Sequence, residues 1–108
     1  MYRWIESMSK NVKLGKSDLL TIHVIIRGRV QGVSFRSSLR NKAEELMVAG
    51  WARNLSDGSV EALLQGDKRN VDLLRDWCWI GPRSAKVDSI NVERVETEKI
   101  YQDFSILF

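Results

Sequence analysis

Gly28-Arg29-Val30-Gln31-Gly32-Val33-Ser34-Phe35-Arg36 lies between a run rich in β-branched residues and a run with helical spacing, and its reading orders the whole chain. Its two glycines allow a tight backbone turn that exposes N–H groups. The segment that follows opens a helix, whose first N–H groups have no partner within it. Arg36, just inside that start, carries a planar guanidinium suited to a phosphate or carboxylate. Loop amides, helix terminus and arginine together describe a small anion-binding cup.

Upstream of the cup, residues 19–27 (LLTIHVIIR) alternate as a strand. Ile22, Val24 and Ile26 share one face; Thr21, His23, Ile25 and Arg27 share the other. His23 is the one histidine of the chain, but it sits mid-strand, well before the cup, and reads as a sheet-face residue rather than a base. Downstream, Phe35, Leu39, Ala43, Leu46 and Met47 recur at offsets of three and four and predict a helix over 35–49. Ser34 is the expected N-cap. Gly50 is the expected left-handed residue after the last turn.

Further on, 50–55 (GWARNL) and 59–65 (SVEALLQ) are strands joined by Ser56-Asp57-Gly58, and an Asp-Gly pair in that setting is a strong hairpin signal. Parity puts Trp51, Arg53 and Leu55 on one face and Ala52 and Asn54 on the other, without saying which face meets the core. Asp67 can cap a second helix over 68–79, ended by Gly81-Pro82. Trp77 and Trp79 read as core and rim residues, and Cys78 as a small buried hydrophobe. Residues 85–96 form a strand in which Ile90, Val92 and Arg94 keep one parity while Val87 and Val95 break it, which predicts a bulge or bend. Residues 104–108 alternate as a short last strand. The order β-α-β-β-α-β plus a C-terminal strand predicts an α+β fold, the ferredoxin-like α/β sandwich, with two helices on one face of an antiparallel sheet.

Composition bounds the rest. The 108 residues suit one domain over 19–108, and 44% hydrophobic with 29% charged residues is an ordinary globular balance. A net charge of +3 favours anionic partners weakly and does not by itself indicate nucleic acid. One cysteine and one histidine allow neither an internal disulfide nor a zinc constellation, so no metal is expected. No apolar run approaches a membrane span, and no apolar segment follows the N-terminal basic residues to make a signal peptide. A cytoplasmic setting with no membrane partner is expected. Residues 1–18 read as a flexible N-terminal extension; the sharper alternative is a docking helix anchored by Trp4.

The cup lacks the Gly-Lys-Ser/Thr ending of a Walker loop and the third glycine of a dinucleotide fingerprint. It has no cysteine nucleophile, and Ser34 has no neighbouring base to activate it. Water must then attack, and with no strong base only a good leaving group can depart. A carboxylate, with a conjugate-acid pKa of about 4–5, is one. Acyl phosphates therefore fit what the residues offer. Asn54 is the best remaining polar group. Its amide can orient water without carrying charge, or can bond its own backbone as a strand-end asparagine.

Residues 28–33 with Phe35-Arg36 resemble the first signature of the acylphosphatase family, and Gly50-Trp51-Ala52-Arg53-Asn54-Leu55 with Asp57-Gly58-Ser59-Val60-Glu61 resembles the second. The similarity runs on through 62–66, Gly81-Pro82 and Phe104, covering about residues 20 to 108 in unbroken order. It implies hydrolysis of the carboxyl–phosphate bond of a small-molecule acyl phosphate by in-line water attack, with no metal or organic cofactor. By position, Arg36 corresponds to the family's phosphate-binding arginine and Asn54 to its water-orienting asparagine. Gln31, Gly32, Val33, Ser34 and Phe35 correspond to the phosphate-binding loop. A monomer is expected. The rival readings are a carbamoyl-phosphate-processing domain, a non-catalytic acyl-phosphate sensor, and an RNA-binding module of the same topology. Residues 59–65 contain no aromatic, which argues against the last and leaves no nucleic-acid partner expected.

Overall fold

A computed structural model describes residues 19–108; the expected N-terminal extension, 1–18, lies outside them. The elements are β1 (Leu19–Arg29), α1 (Phe35–Glu45), β2 (Ala49–Asn54), β3 (Val60–Asp67), α2 (Lys68–Trp77), β4 (Lys86–Arg94) and β5 (Phe104–Ile106). They build one five-stranded sheet in the order β4-β1-β3-β2-β5. The first four strands pair antiparallel, as the βαββαβ order predicts. The last does not: β5 lies parallel to β2, with Gly50 opposite Phe104 and Ala52 opposite Ile106, so the sheet is mixed. The reason is the route of the chain. β4 ends on one edge of the sheet, at the end where β2 begins. Residues 95–103 cross at that end, with Val95 N–H donating to the Thr21 carbonyl. A strand laid on the far edge from there must run alongside β2.

Gln65 fastens the crossing. It is fully buried, and its side-chain amide donates to Thr21 Oγ1 at 3.0 Å and to the Lys99 carbonyl at 2.8 Å. Its Oε1 accepts the Tyr101 N–H at 2.8 Å, so both ends of a buried amide are satisfied. Because β5 runs back up the β2 edge, the residues after it reach the end of the sheet where the cup lies.

Strand alternation decides the core. Ile22, Val24 and Ile26 of β1, Ala52 of β2, and Val60, Ala62 and Leu64 of β3 are buried with Phe35, Leu39 and Ala43 of α1 and Val71 and Leu74 of α2. Both helices therefore cover one face, and the inward side of β2 is the Ala52 side. Each buried Val, Leu, Ile or Phe among these contributes about 1.5–3 kcal/mol on full burial. Cys78 is among them, and its burial pushes the thiol up to about 12. Trp77 packs on Phe35 with ring centroids 5.7 Å apart, whereas Trp79 is half exposed.

Three local expectations need correction. The first helix stops at Glu45 rather than running to 49. Val48 N–H donates to the Ala43 carbonyl and Met47 N–H to the Glu44 carbonyl, a Schellman ending with Met47 as the left-handed residue (φ 59°). Gly50 instead belongs to β2, at φ 139°, where a Cβ would lie 1.8 Å from the Leu63 carbonyl oxygen. Its need for glycine comes from a neighbouring strand, not from a helix end. The second helix likewise closes at Trp77, short of 79. Its cap is as expected, with Asp67 Oδ1 accepting the Arg69 N–H at 2.9 Å. The bulge expected in the fourth strand is present: Arg27 pairs with Ser89 and Gly28 with Val87, leaving Asp88 as the extra residue.

The face away from the helices carries a polar cluster. Glu61 Oε2 bonds His23 Nε2 at 2.7 Å, and Glu61 Oε1 accepts from Arg53 Nε at 2.5 Å. Burial raises the Glu61 carboxyl, but the hydrogen bonds from His23 and Arg53 outweigh it and hold the group below its ordinary value. His23 is thus a sheet-face residue paired across to β3. No helix among the described residues is long and apolar enough to cross a membrane.

Candidate active site

The loop between β1 and α1 turns on two left-handed residues, Gly32 at φ 75° and Ser34 at φ 64°, with Val33 between them. Alternating left-handed and ordinary backbone is how successive N–H groups are brought to face one anion. A Cβ on Gly32 would meet nothing within 4 Å. Glycine is favoured there by the dihedral alone, and the open space above it is room for a ligand.

Ser34 occupies the N-cap position, but its hydroxyl makes no capping bond. A side-chain cap is usually made from extended backbone, and Ser34 is left-handed. Its carbonyl accepts the first helical bond, from Ser38 N–H at 3.0 Å, and the Ser37 Oγ hydroxyl at 3.2 Å. The first N–H groups of α1, at Phe35, Arg36 and Ser37, have no acceptor within the helix. They and the helix dipole favour negative charge at this end.

Around this loop lies a cavity of about 480 Å³ lined by Val30, Gln31, Gly32, Ser34, Phe35, Arg36, Ser37, Asn54, Ile106 and Phe108. It brings together Arg36 from the first turn of α1 and Asn54 from the end of β2. Of the seven residues expected at the site, Val33 alone does not line it and packs toward the core. Among the described residues that line it, Arg36 is the one side-chain cation, and none carries a carboxylate, imidazole or thiol side chain. Among the described residues Arg36 has no acidic partner. Its Nη1 donates to the Leu107 carbonyl at 3.2 Å, and its guanidinium sits 5.0 Å from the centroid of the Phe108 ring. Such an arginine keeps its charge available to an incoming anion.

Asn54 makes no side-chain hydrogen bond among the described residues, so it does not act as a turn asparagine bonding its own backbone. Asp57 does that work. Its carboxylate accepts from Ser59 N–H at 2.9 Å and Ser59 Oγ at 2.5 Å, which lowers its pKa. Leu55 N–H bonds the Ser59 carbonyl at 2.9 Å and Gly58 N–H the Leu55 carbonyl at 3.2 Å, closing the hairpin.

Sequence reasoning missed Ile106, Phe108 and Ser37, whereas Val30 lies within the stretch read as the cup. The alternation of Phe104, Ile106 and Phe108 was the available signal: one face of the last strand. Which edge that strand joins, and hence that its face borders the cup, depends on the crossing at Gln65.

The acylphosphatase family model matches residues 22–106. An acylphosphatase of Roseiflexus sp. is 44% identical over 91 residues, covering 84% of this chain and 98% of the relative. Among solved structures, an acylphosphatase from Coxiella burnetii superposes with TM-score 0.81 at 42% identity, over 85% of this chain and 96% of that one. The acylphosphatase from Bacillus subtilis gives 0.80 at 32% identity, over 82% and 99%.

Proposed function

Given that this chain belongs to the acylphosphatase family, we propose that the cavity between the 30–34 loop and Asn54 is where it hydrolyses an acyl phosphate. The phosphoryl group lies in the loop, its oxygens taking hydrogen bonds from the main-chain N–H groups around residues 31–35 and from the Arg36 guanidinium. Asn54 holds a water molecule through its carboxamide, in line with the departing carboxylate. The water oxygen forms a bond to phosphorus as the bond to the carboxyl oxygen breaks. The products are a carboxylate, inorganic phosphate and one proton released to solvent.

The chemistry asks little of the protein beyond position and charge. The leaving carboxylate needs no proton, so no general acid is called for, and the scheme uses no metal or organic cofactor. Donors already fixed in the folded chain stabilise the charge on the transferring group without reorganising. Holding water in line removes the entropy cost of a bimolecular encounter. The observation that carries this reading is that one cavity pairs Arg36 and the Asn54 carboxamide, neither of which has an acidic or side-chain hydrogen-bond partner among the described residues, in a described lining without an acidic side chain. A small molecule acted on by a monomer in the cytoplasm, without nucleic-acid or membrane partners, completes the proposal. The single buried cysteine suits a reducing compartment.

Hydrolysis of a model aryl acyl phosphate tests it. Arg36→Ala is expected to remove inhibition by phosphate and to leave on the order of a thousandth of the kcat/KM. Asn54→Ala is expected to lower kcat on the order of a hundredfold while inhibition by inorganic phosphate stays nearly unchanged. Full activity in either variant removes that residue from the scheme.

A further inference from the structure

The phosphate loop and the hairpin that carries Asn54 come from different parts of the chain, and one side chain ties them. Gln31 Nε2 donates to the Leu55 carbonyl at 2.7 Å and to the Ser59 carbonyl at 2.9 Å. These carbonyls stand on the two sides of the hairpin turn. Leu55 directly follows Asn54, and Asn54 pairs in register with Val60, which directly follows Ser59. We propose that the Gln31 side chain is a positioning residue for the reaction, a latch that sets Asn54, and so the attacking water, against the phosphate loop.

The proposal rests on the reading of Asn54 given above. It assigns to Gln31 a role distinct from that of its main-chain N–H in the loop. The physical case is one of distance and stiffness. The hairpin is rigid in itself: Asp57 holds Ser59, and two main-chain bonds close the turn. A rigid hairpin still moves as a body about the end of β2. Two short hydrogen bonds from one amide, to acceptors on either side of the turn, remove that freedom. Displacing a reacting group by about 1 Å can cost on the order of a hundredfold in rate.

Both carbonyls keep a partner without Gln31, since Ser59 O still accepts from Leu55 N–H and Leu55 O from Gly58 N–H. Removing the latch therefore leaves no orphaned acceptor. The expected loss falls on geometry more than on stability.

A double-mutant cycle with kinetics tests this on the full chain. Gln31→Ala is expected to lower kcat on the order of tenfold, with the inhibition constant of inorganic phosphate changed by less than about twofold. In an Asn54→Ala background the same substitution is expected to cost less than about twofold more, because the water it would position is no longer held. A full additive loss in the double variant, or weakened phosphate inhibition in Gln31→Ala, overturns the latch and leaves the role of Asn54 standing. Full activity in Asn54→Ala overturns both. Gln31→Met, of similar length but without donors, repeats the measurement if Gln31→Ala does not fold. NMR of the unaltered protein supplies a readout independent of any variant. The latch predicts Gln31 side-chain NH₂ resonances protected from solvent exchange, and free exchange there refutes it.

Discussion

Arg36 and Arg53 are two arginines with similar aromatic neighbours and opposite fates. Arg36 lies over Phe108 at 5.0 Å, and Arg53 over Trp51 at 5.4 Å. Arg53 is also bonded to the Glu61 carboxylate, directly across the strand pair. Arg36 has a carbonyl where Arg53 has an acid. The guanidinium on the open sheet face is already neutralised; the one at the mouth of the cup has no acid beside it among the described residues. Arg53 immediately precedes Asn54, yet strand alternation turns it to the far side of the sheet. Proximity in sequence to a site residue therefore says little. An arginine without a competing carboxylate keeps its charge for an incoming anion.

The contrast can be broken most directly by truncating each arginine. Arg36→Ala is expected to lower kcat/KM on the order of a thousandfold, about 4 kcal/mol of transition-state stabilisation. Comparable losses in Arg36→Ala and Arg53→Ala would erase the distinction.

The next largest effect is on stability. Glu61→Ala leaves His23 and Arg53 without their shared acceptor and is expected to cost about 1–3 kcal/mol in urea unfolding. Its kcat should match that of the unaltered protein. A fall in kcat without a fall in stability would place the open face in the reaction.

Acid titration sharpens this further. The Glu61 carboxyl is lowered in the folded chain relative to the ordinary 4.5. Its contribution is therefore whole above that ordinary value and is lost as pH falls through the folded value. In Glu61→Gln the melting temperature should fall less steeply across that acid range than in the unaltered protein. Identical acid limbs would show that the pairing adds nothing. The smallest effect is expected for Arg53→Ala, with activity within about threefold and stability within about 1 kcal/mol, as for other half-exposed ion pairs.

Much of this was legible in the chain because it is local. The alternation of Ile22, Val24 and Ile26, the stripe of Phe35, Leu39 and Ala43, the Asp57-Gly58 turn and the Asp67 cap are each set by neighbours within a few residues. So is the parity break that forced the bulge at Asp88. What failed was non-local. Gly50 is required by the Leu63 carbonyl of an adjacent strand, while the helix end expected there was satisfied three residues earlier by Met47. Ser34 is held left-handed, which parts its hydroxyl from the helix it begins. The cup could be recognised from Gly28 to Arg36. That Ile106 and Phe108 wall it could not.

Periodicity and turn chemistry within the sequence determined which segments are strands and helices, their order, and a glycine-bearing loop that opens a helix beside one arginine, since these follow from short-range sterics and hydrogen bonding. The tertiary structure alone decided that β5 runs parallel to β2, that Asn54 rather than Arg53 faces the cup, and that Gln31 ties loop to hairpin. Those outcomes depend on which distant backbone groups arrive within hydrogen-bond reach, and that is set only when the sheet closes over its core.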